Sequence, residues 1–180
     1  LKLNEGDFVT VIGGNGAGKS TMLNAVAGTW PVDEGQILID NIDVTKLSEH
    51  KRATYLGRVF QDPMTGTAAT MGIEENLALA KRRGKSRLLR SGITKAEREE
   101  YKGLGLEDRL TSKVGLLSGG QRQALTLLMA TLQKPKLLLL DEHTAALDPK
   151  TAAKVLEITD MIVNRDHLTT LMITHNMKDA

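Results

Sequence analysis

A glycine-rich loop between a short apolar strand and a helix constrains the fold of this chain more than any other feature. Phe8 to Ile12 predicts a buried strand, and a helix is predicted from Lys19 to about Ala27, with Gly28 as its C-cap. The loop between them, Gly13 to Ser20, matches the pattern G-x-x-x-x-G-K-[ST], whose glycines let backbone N–H groups surround phosphate oxygens. This arrangement predicts a nucleoside triphosphate site. Its expected contacts are Gly13, Gly14, Asn15, Gly16, Ala17, Gly18, Lys19, Ser20 and Thr21.

Two adjacent acids follow the most apolar strand of the chain. Leu137 to Leu140 is apolar on both faces, as expected of a central parallel strand, and Asp141 and Glu142 come directly after it. Sheets of this kind bind ligands at the carboxyl ends of their strands. Beside a phosphate loop, this placement predicts Asp141 and Ser20 as Mg²⁺ ligands and Glu142 as the group that polarises the attacking water. The alternative is that the acids only cap the element that follows.

A second glycine-rich helix start lies about a hundred residues after the first. Ser118-Gly119-Gly120-Gln121 opens a predicted helix, where free N–H groups and the helix dipole favour an anion. The spacing S-x-x-Q is also that of a capping box, which is the structural alternative. A cap does not require two glycines in the first turn, whereas a backbone that approaches a phosphate closely does. We therefore expect Ser118, Gly119, Gly120 and Gln121 to contact nucleotide.

The motifs and their order resemble those of the ATP-binding cassette (ABC) ATPases. Gly13–Ser20 is similar to the Walker A motif of that family, Leu137–Glu142 to its Walker B motif, and Leu117–Gln121 to its LSGGQ signature. Three weaker signals fit the same order: Gln61 resembles the Q-loop glutamine that reaches Mg²⁺, Asp148 the D-loop aspartate, and His175 the switch histidine that contacts the γ-phosphate.

The resemblance implies an ATPase that uses ATP and Mg²⁺, with Glu142 and His175 as catalytic residues and Ser20, Gln61 and Asp141 at the metal. It implies two subunits, identical or paired, with ATP clasped between the phosphate loop of one and the Ser118 helix of the other. It further implies integral membrane permease subunits, a solute-binding protein for an importer, and a peripheral position on the cytoplasmic face of the membrane. The sequence of Asp141–Asp148 resembles that of bacterial importer ATPases associated with amino-acid-like solutes.

Strand and helix patterns alternate at both ends of the chain and give way to helices in the middle. They predict an α/β fold: a P-loop NTPase (RecA-like) three-layer core with a mainly parallel sheet, formed by residues 1–61 and 134–180, and an inserted helical subdomain at 62–133. The further predicted strands are Gln36–Asp40, Tyr55–Phe60 and Thr169–Thr174. The further predicted helices are Ser48–Ala53, Glu74–Arg83, one opened by a capping box at Thr94–Glu97, Ser118–Leu132, and one from Asp148-Pro149 to about Asn164.

Composition narrows the function classes. Without cysteine the chain has neither disulfides nor thiolate metal sites, and no apolar run approaches the roughly 20 residues of a membrane span. A net charge of +2 is too weak to argue for nucleic acid, and 3% aromatic residues argue against base-stacking recognition of single strands, so we expect no nucleic-acid partner. The alternatives are a soluble ABC-type ATPase of DNA repair or translation, and a P-loop kinase or regulatory nucleotide-binding module. The kinase class leaves the signature unexplained.

The chain departs from the family pattern in three places. His143 follows Glu142 where the family often has proline, and we expect it to pack or to face solvent. The adenine-stacking aromatic residue and the strands around it are expected to lie outside this chain, as is a C-terminal part of the domain. The helix from Lys95 stops before it gains an apolar face, which predicts missing residues near Lys102 and Gly103.

A basic run lies in the predicted helical subdomain, and we expect it to form a solvated face. The alternative is contact with a partner's cytoplasmic loop or with anionic headgroups. The run consists of Lys81, Arg82, Arg83, Lys85, Arg87 and Arg90.

Overall fold

The computed structural model describes residues 1–14, 16–84, 94–100 and 109–175 of the chain, except for the side chains of Glu97, Glu99 and Glu100. The main sheet is formed by the parallel strands β1 (Phe8–Ile12), β4 (Leu56–Val59), β5 (Leu137–Asp141) and β6 (Thr170–Thr174), in the order β1-β6-β5-β4. Strands β2 (Leu38–Ile39) and β3 (Ile42–Asp43) form a separate antiparallel hairpin. The helices are α1 (Lys19–Ala27), α2 (Glu49–Arg52), α3 (Ile73–Lys81), α4 (Lys95–Glu100), α5 (Gly119–Thr131) and α6 (Pro149–Asp166), with a 3₁₀ turn at Val114–Leu116.

The predicted helices and strands of the core are observed close to their expected bounds, apart from the hairpin. The strand predicted at Gln36–Asp40 is reduced to Leu38–Ile39, and its partner β3 was not predicted. Asp40 and Asn41 form the turn, as expected, with φ of 53° and 61°. Before β2, the carbonyl oxygen of Ile37 accepts from the N–H of Val44 (3.0 Å), but the N–H of Ile37 donates to Thr45 Oγ1 (2.8 Å), so a side chain replaces one backbone bond of the strand pair. Side-chain competition of this kind shortens the strand.

Helices cover both faces of the sheet. In β5, Leu139 packs on one side in a buried cluster with Leu23 of α1. Its neighbours Leu138 and Leu140 point to the other side and pack with Leu127 of α5 and Ile162 of α6. This period of two places α1 on one face and α5 and α6 on the other. The predicted three-layer α/β core is confirmed.

Helix α5 is shared between two apolar clusters. Leu127 and Ala130 pack against the sheet, whereas Leu125 and Leu128 pack with Leu77 of α3 and the adjoining 3₁₀ turn. The helix that carries the signature therefore packs against the sheet as well as against the helical layer. The domain boundary predicted at residue 133 stays a prediction.

A buried arginine joins α1 to the hairpin region. Arg52, at the end of α2, is 1% exposed and makes no ion pair within the described residues. Its guanidinium donates instead to four backbone carbonyl oxygens, those of Ala25 (2.6 Å), Val26 (2.9 Å), Thr45 (2.8 Å) and Leu47 (2.9 Å). Burial lowers the pKa of Arg52. The end of α1 and the segment between β3 and α2 are therefore held together by the Arg52 side chain.

The basic run is not uniformly solvated. Arg83 lies partly inside the fold, where its Nη2 donates to the carbonyl oxygen of Ala130 (3.3 Å) and burial lowers its pKa. Lys85, Arg87 and Arg90 lie outside the described residues, as does the break predicted near Lys102 and Gly103. Among the described helices, none combines the length and the apolar character that crossing a membrane would need.

Candidate functional site

The phosphate loop closes over its own lysine. Gly16 and Gly18 adopt φ of 81° and 83°, a left-handed conformation that glycine reaches without strain. Lys19 is largely buried, and its Nζ donates to the carbonyl oxygens of Gly13 (2.7 Å) and Gly14 (3.2 Å). The Lys19 ammonium group therefore already lies in the loop, where phosphate oxygens could replace the two carbonyl oxygens as its acceptors.

The start of α1 leaves the remaining predicted contacts accessible. Ser20 and Thr21 lie in its first turn and are exposed, as is Ala17 in the loop before it. No side chain caps this helix start, and the N-cap residue is Gly18. The free N–H groups of the first turn thus face outward, as an anion site requires. Asn15 lies outside the described residues.

Three neighbouring strands deliver the predicted catalytic groups to one edge of the sheet. Ile12 of β1 is paired with Thr174 of β6, and Ile173 of β6 is paired with Asp141 of β5. Because the strands are parallel, the segments that follow them emerge at the same edge. The phosphate loop, His175 and Glu142 are brought together in this way.

Glu142 contacts both of the other predicted groups. Its Oε2 accepts a hydrogen bond from His175 Nδ1 (3.0 Å), and its Oε1 lies 3.8 Å from Lys19 Nζ. Glu142 itself has a φ of 45°, and its N–H donates to the carbonyl oxygen of Ile173 (3.0 Å). A left-handed backbone at a non-glycine residue is strained, and such strain concentrates at functional sites. The bond to β6 holds the carboxylate toward the phosphate loop.

The structure adds an arginine that the sequence analysis missed. Arg58 of β4 donates through Nη2 to Asp141 Oδ2 (3.1 Å) and to Asn24 Oδ1 of α1 (2.8 Å). Its guanidinium also lies 4.6 Å from the centre of the Phe60 ring. A charged residue inside an otherwise apolar strand needs a buried partner, and this signal could have identified Arg58 from the sequence.

The donor set at this edge fits Mg²⁺. Oxygen ligands are available from the Asp141 carboxylate, the Ser20 hydroxyl and the Gln61 amide, and Gln61 is exposed just beyond the end of β4. Within the described ranges, no three His, Cys, Asp or Glu residues cluster closely enough to hold a metal by themselves. Mg²⁺ typically takes one or two protein ligands and completes its shell with phosphate and water. The metal roles of these three residues stay predictions.

The signature segment forms a helix cap. Ser118 Oγ accepts from the N–H of Gln121 (3.3 Å), and Gln121 Oε1 accepts from the N–H of Ser118 (3.1 Å). The capping box is thus present, and Ser118 and Gly119 are nevertheless exposed. Since α5 and α1 lie on opposite faces of the sheet, the signature and the phosphate loop of one chain are attached to different layers.

Gly120 has a packing role that the sequence analysis did not foresee. A Cβ atom at this position would lie 2.1 Å from Cγ2 of Thr151 in α6. The predicted reason for both glycines was close approach to a phosphate. For Gly120 the close approach of α6 is by itself sufficient, whereas a Cβ at Gly119 would meet only the flexible end of Leu147, at 3.3 Å.

Gly120→Ala is therefore expected to lower the free energy of unfolding by about 1–3 kcal/mol, the usual cost of overpacking. Adding Thr151→Ser removes the clashing methyl group and should restore most of the loss. Gly119→Ala is the matched control and should change stability by less. Urea unfolding monitored by circular dichroism measures the stability of the unmodified chain and of these three variants. If the double variant were no more stable than Gly120→Ala alone, the contact with Thr151 would not be the reason.

Asp148 caps helix α6. Its Oδ1 accepts from the N–H of Thr151 (3.1 Å), and hydrogen bonds from the side chain and backbone of Thr151 lower its pKa. Asp148 is exposed, so capping leaves it accessible to a partner surface. Its D-loop role stays a prediction.

His143 packs inside the fold. It is 2% exposed, and its Nε2 lies 3.2 Å from Thr159 Oγ1 in α6. The Thr159 hydroxyl donates to the carbonyl oxygen of Val155 (2.8 Å), so it accepts a hydrogen bond from His143. The expectation that His143 packs is confirmed.

The sequence profile of the ABC transporter family matches residues 1–145. The chain therefore belongs to the ABC transporter family, and it is an ATP-binding and ATP-hydrolysing cassette, as its motifs predict.

Curated relatives are ATP-binding proteins of transport systems. The chain is 49% identical to a tyrosine transport ATP-binding protein of Clostridioides difficile, over all of this chain and 74% of that protein. It is 37% identical to a methionine import ATP-binding protein of Rhizobium etli (99% of this chain, 49% of that protein). It is 35% identical to a spermidine/putrescine import ATP-binding protein of Haemophilus ducreyi (100% and 47%). The chain thus spans about half of the latter two.

Solved structures give the same result. A dimeric ATP-binding cassette in a post-hydrolysis state with ADP and phosphate superposes with a TM-score of 0.81 at 31% identity, covering 100% of this chain and 79% of that one. The ADP conformation of another ABC transporter cassette superposes with a TM-score of 0.78 at 28% identity (98% and 73%). The predicted fold family is confirmed.

Proposed function

We propose that this chain is the ATP-hydrolysing subunit of a bacterial amino-acid importer. It works as a pair, identical or mixed, on the cytoplasmic face of the membrane with integral permease subunits and a solute-binding protein. The observation that carries the ATPase part is the convergence of Lys19, Glu142 and His175 at one edge of the sheet. The transport part is supported by the names of the relatives.

Hydrolysis follows from the contacts of three side chains. When phosphate oxygens enter the loop, Lys19 exchanges the carbonyl oxygens of Gly13 and Gly14 for them and moves away from Glu142. Glu142 is then free to accept a proton from the attacking water, while His175 holds its other oxygen. Bound Mg²⁺ would offset phosphate charge and align the γ-phosphate for in-line attack.

The position of α5 supports a site shared between two chains. Ser118 and Gly119 present an exposed helix start on the layer opposite α1, where they can face the γ-phosphate held by a second copy. Two such copies related by a two-fold axis bury two nucleotides, and each nucleotide joins the two subunits. Hydrolysis removes that bridge, so the pair opens and moves the attached permeases.

The proposed cargo is an amino acid. The identity to the tyrosine transport protein, 49%, exceeds the 35% to the spermidine/putrescine protein. The test is reconstitution of this chain with the membrane proteins encoded beside it in vesicles that contain ATP. ATP-dependent uptake of labelled tyrosine or methionine, and little uptake of putrescine, is expected. Copurification with ribosomes or DNA instead of membrane proteins would contradict the proposal.

A further inference from the structure

Each of the two acids at the end of β5 already has a cation beside it. Lys19 lies 3.8 Å from Glu142, and Arg58 donates to Asp141 at 3.1 Å. We infer that Arg58 determines when Mg²⁺ binds. Its positive charge neutralises Asp141 as a metal ion would, and thereby makes Mg²⁺ binding conditional on bound nucleotide.

Arg58 is held in this place from several sides. Asn24 accepts from the same Nη2 that contacts Asp141, at 2.8 Å, and the guanidinium carbon lies over the Phe60 ring, 4.6 Å from its centre. The Arg58 and Asp141 side chains are only 14% and 15% exposed, so solvent screens the pair weakly. A lysine would keep the charge, but it lacks the planar guanidinium group that lies over an aromatic ring.

The two ion pairs weaken the electrostatic attraction between a free cation and the carboxylates of Asp141 and Glu142. Two adjacent carboxylates without partners would attract Mg²⁺ strongly, because both of its charges would be matched. With Arg58 and Lys19 in place, these two cations and the two carboxylates together carry no net charge. A Mg²⁺ ion without nucleotide is therefore only weakly attracted to them. Arg58 also engages only Oδ2 of Asp141, and within the described residues no hydrogen-bond donor occupies Oδ1.

Nucleotide changes this balance. Phosphate oxygens draw Lys19 away from Glu142 and supply the ligands that Mg²⁺ prefers, while Asp141 Oδ1 is presented by a carboxylate whose orientation Arg58 has fixed. The metal therefore enters with its triphosphate and not before it. This inference rests on the proposed metal role of Asp141.

The experiment measures Mn²⁺ binding by electron paramagnetic resonance, with Mn²⁺ as the probe for Mg²⁺. The intact chain without nucleotide is expected to bind Mn²⁺ weakly, and a non-hydrolysable ATP analogue should strengthen binding by more than about tenfold. Arg58→Met, which keeps an apolar side chain against Phe60, should bind Mn²⁺ without nucleotide about tenfold more tightly than the intact chain. Arg58→Lys keeps the charge and should stay within about threefold of it.

A matched control removes a distant cation. Lys136 precedes β5 at the opposite end of the strand from Asp141 and pairs with exposed Asp40. Lys136→Met changes the net charge as Arg58→Met does, and its Mn²⁺ binding should equal that of the intact chain. Arg58→Gln serves as a second uncharged variant if Arg58→Met does not fold.

Unchanged or weaker Mn²⁺ binding in the uncharged Arg58 variants would overturn the inference, as would tight binding of Mn²⁺ by the intact chain without nucleotide. Asp141→Asn separates this result from the proposed function. If Asp141→Asn leaves nucleotide-dependent Mn²⁺ binding unchanged, the metal role of Asp141 itself is wrong. If that binding falls and the Arg58 variants behave like the intact chain, only the role of Arg58 is wrong.

Discussion

Glu142→Gln is expected to slow ATP hydrolysis by roughly 10²–10⁴-fold, the usual contribution of acid–base assistance. The amide cannot accept the proton of the attacking water, but it keeps the shape of the carboxylate and can still contact Lys19 and His175. ATP binding should therefore remain intact. Phosphate release measures turnover, and fluorescent nucleotide titration measures binding. Glu157→Gln is the matched control, because Glu157 is exposed on α6, which packs on the face of the sheet opposite α1.

The same variant should accumulate the nucleotide-bridged pair. Analytical ultracentrifugation of Glu142→Gln with ATP is expected to show a dimer, because the bridging triphosphate is not removed. Adding Ser118→Glu places a negative charge at the exposed start of α5 and should abolish the dimer without weakening nucleotide binding by each monomer. Normal turnover in Glu142→Gln would remove Glu142 from its proposed role, and a dimer that survives Ser118→Glu would contradict the shared site.

Arg52→Ala is expected to lower the free energy of unfolding by about 3–5 kcal/mol, since it creates a large cavity and removes four hydrogen bonds to backbone carbonyl oxygens. Arg52 is 1% exposed, and its donations to the carbonyl oxygens of Ala25, Val26, Thr45 and Leu47 join α1 to the segment between β3 and α2. Because no acid accompanies it within the described residues, no buried negative charge is left behind. The loss is one of packing and hydrogen bonds.

The neighbouring residue supplies the control for this prediction. Lys51 lies on the same short helix and is exposed, so Lys51→Ala should change stability by no more than about 0.5 kcal/mol. Denaturant unfolding midpoints compare the two variants with the unmodified chain. An Arg52→Ala variant as stable as Lys51→Ala would mean that water satisfies the carbonyl groups and that Arg52 does not hold these elements together.

Local patterns predicted most of the secondary structure. The apolar runs of β1 and β5, the Asp148-Pro149 start of α6 and the glycine at the end of α1 each act within a few residues, so their outcome could be deduced without the fold. The hairpin was predicted less well, because Thr45 completes the pairing of Ile37 through its side chain. Composition and periodicity do not report such a bond.

The functional residues show the same difference between local sequence signals and tertiary contacts. Strand order follows from tertiary pairing, yet the phosphate loop and the two acids were identifiable because each follows a strand and carries its own spacing. Arg58 was not identified: its place in an apolar strand signals that it needs a partner, but nothing nearby shows that the partner is Asp141, 83 residues away. Gly120 was given a phosphate-contact reason, because the contact with Thr151 exists only once α5 packs on α6.

Local chain chemistry thus determined the sequence motifs from which the triphosphate site and the residues proposed to cleave the triphosphate were predicted. Tertiary packing decided which charges face one another and which backbone segments approach closely, because those contacts join residues that only the assembled sheet and its two helical layers bring together.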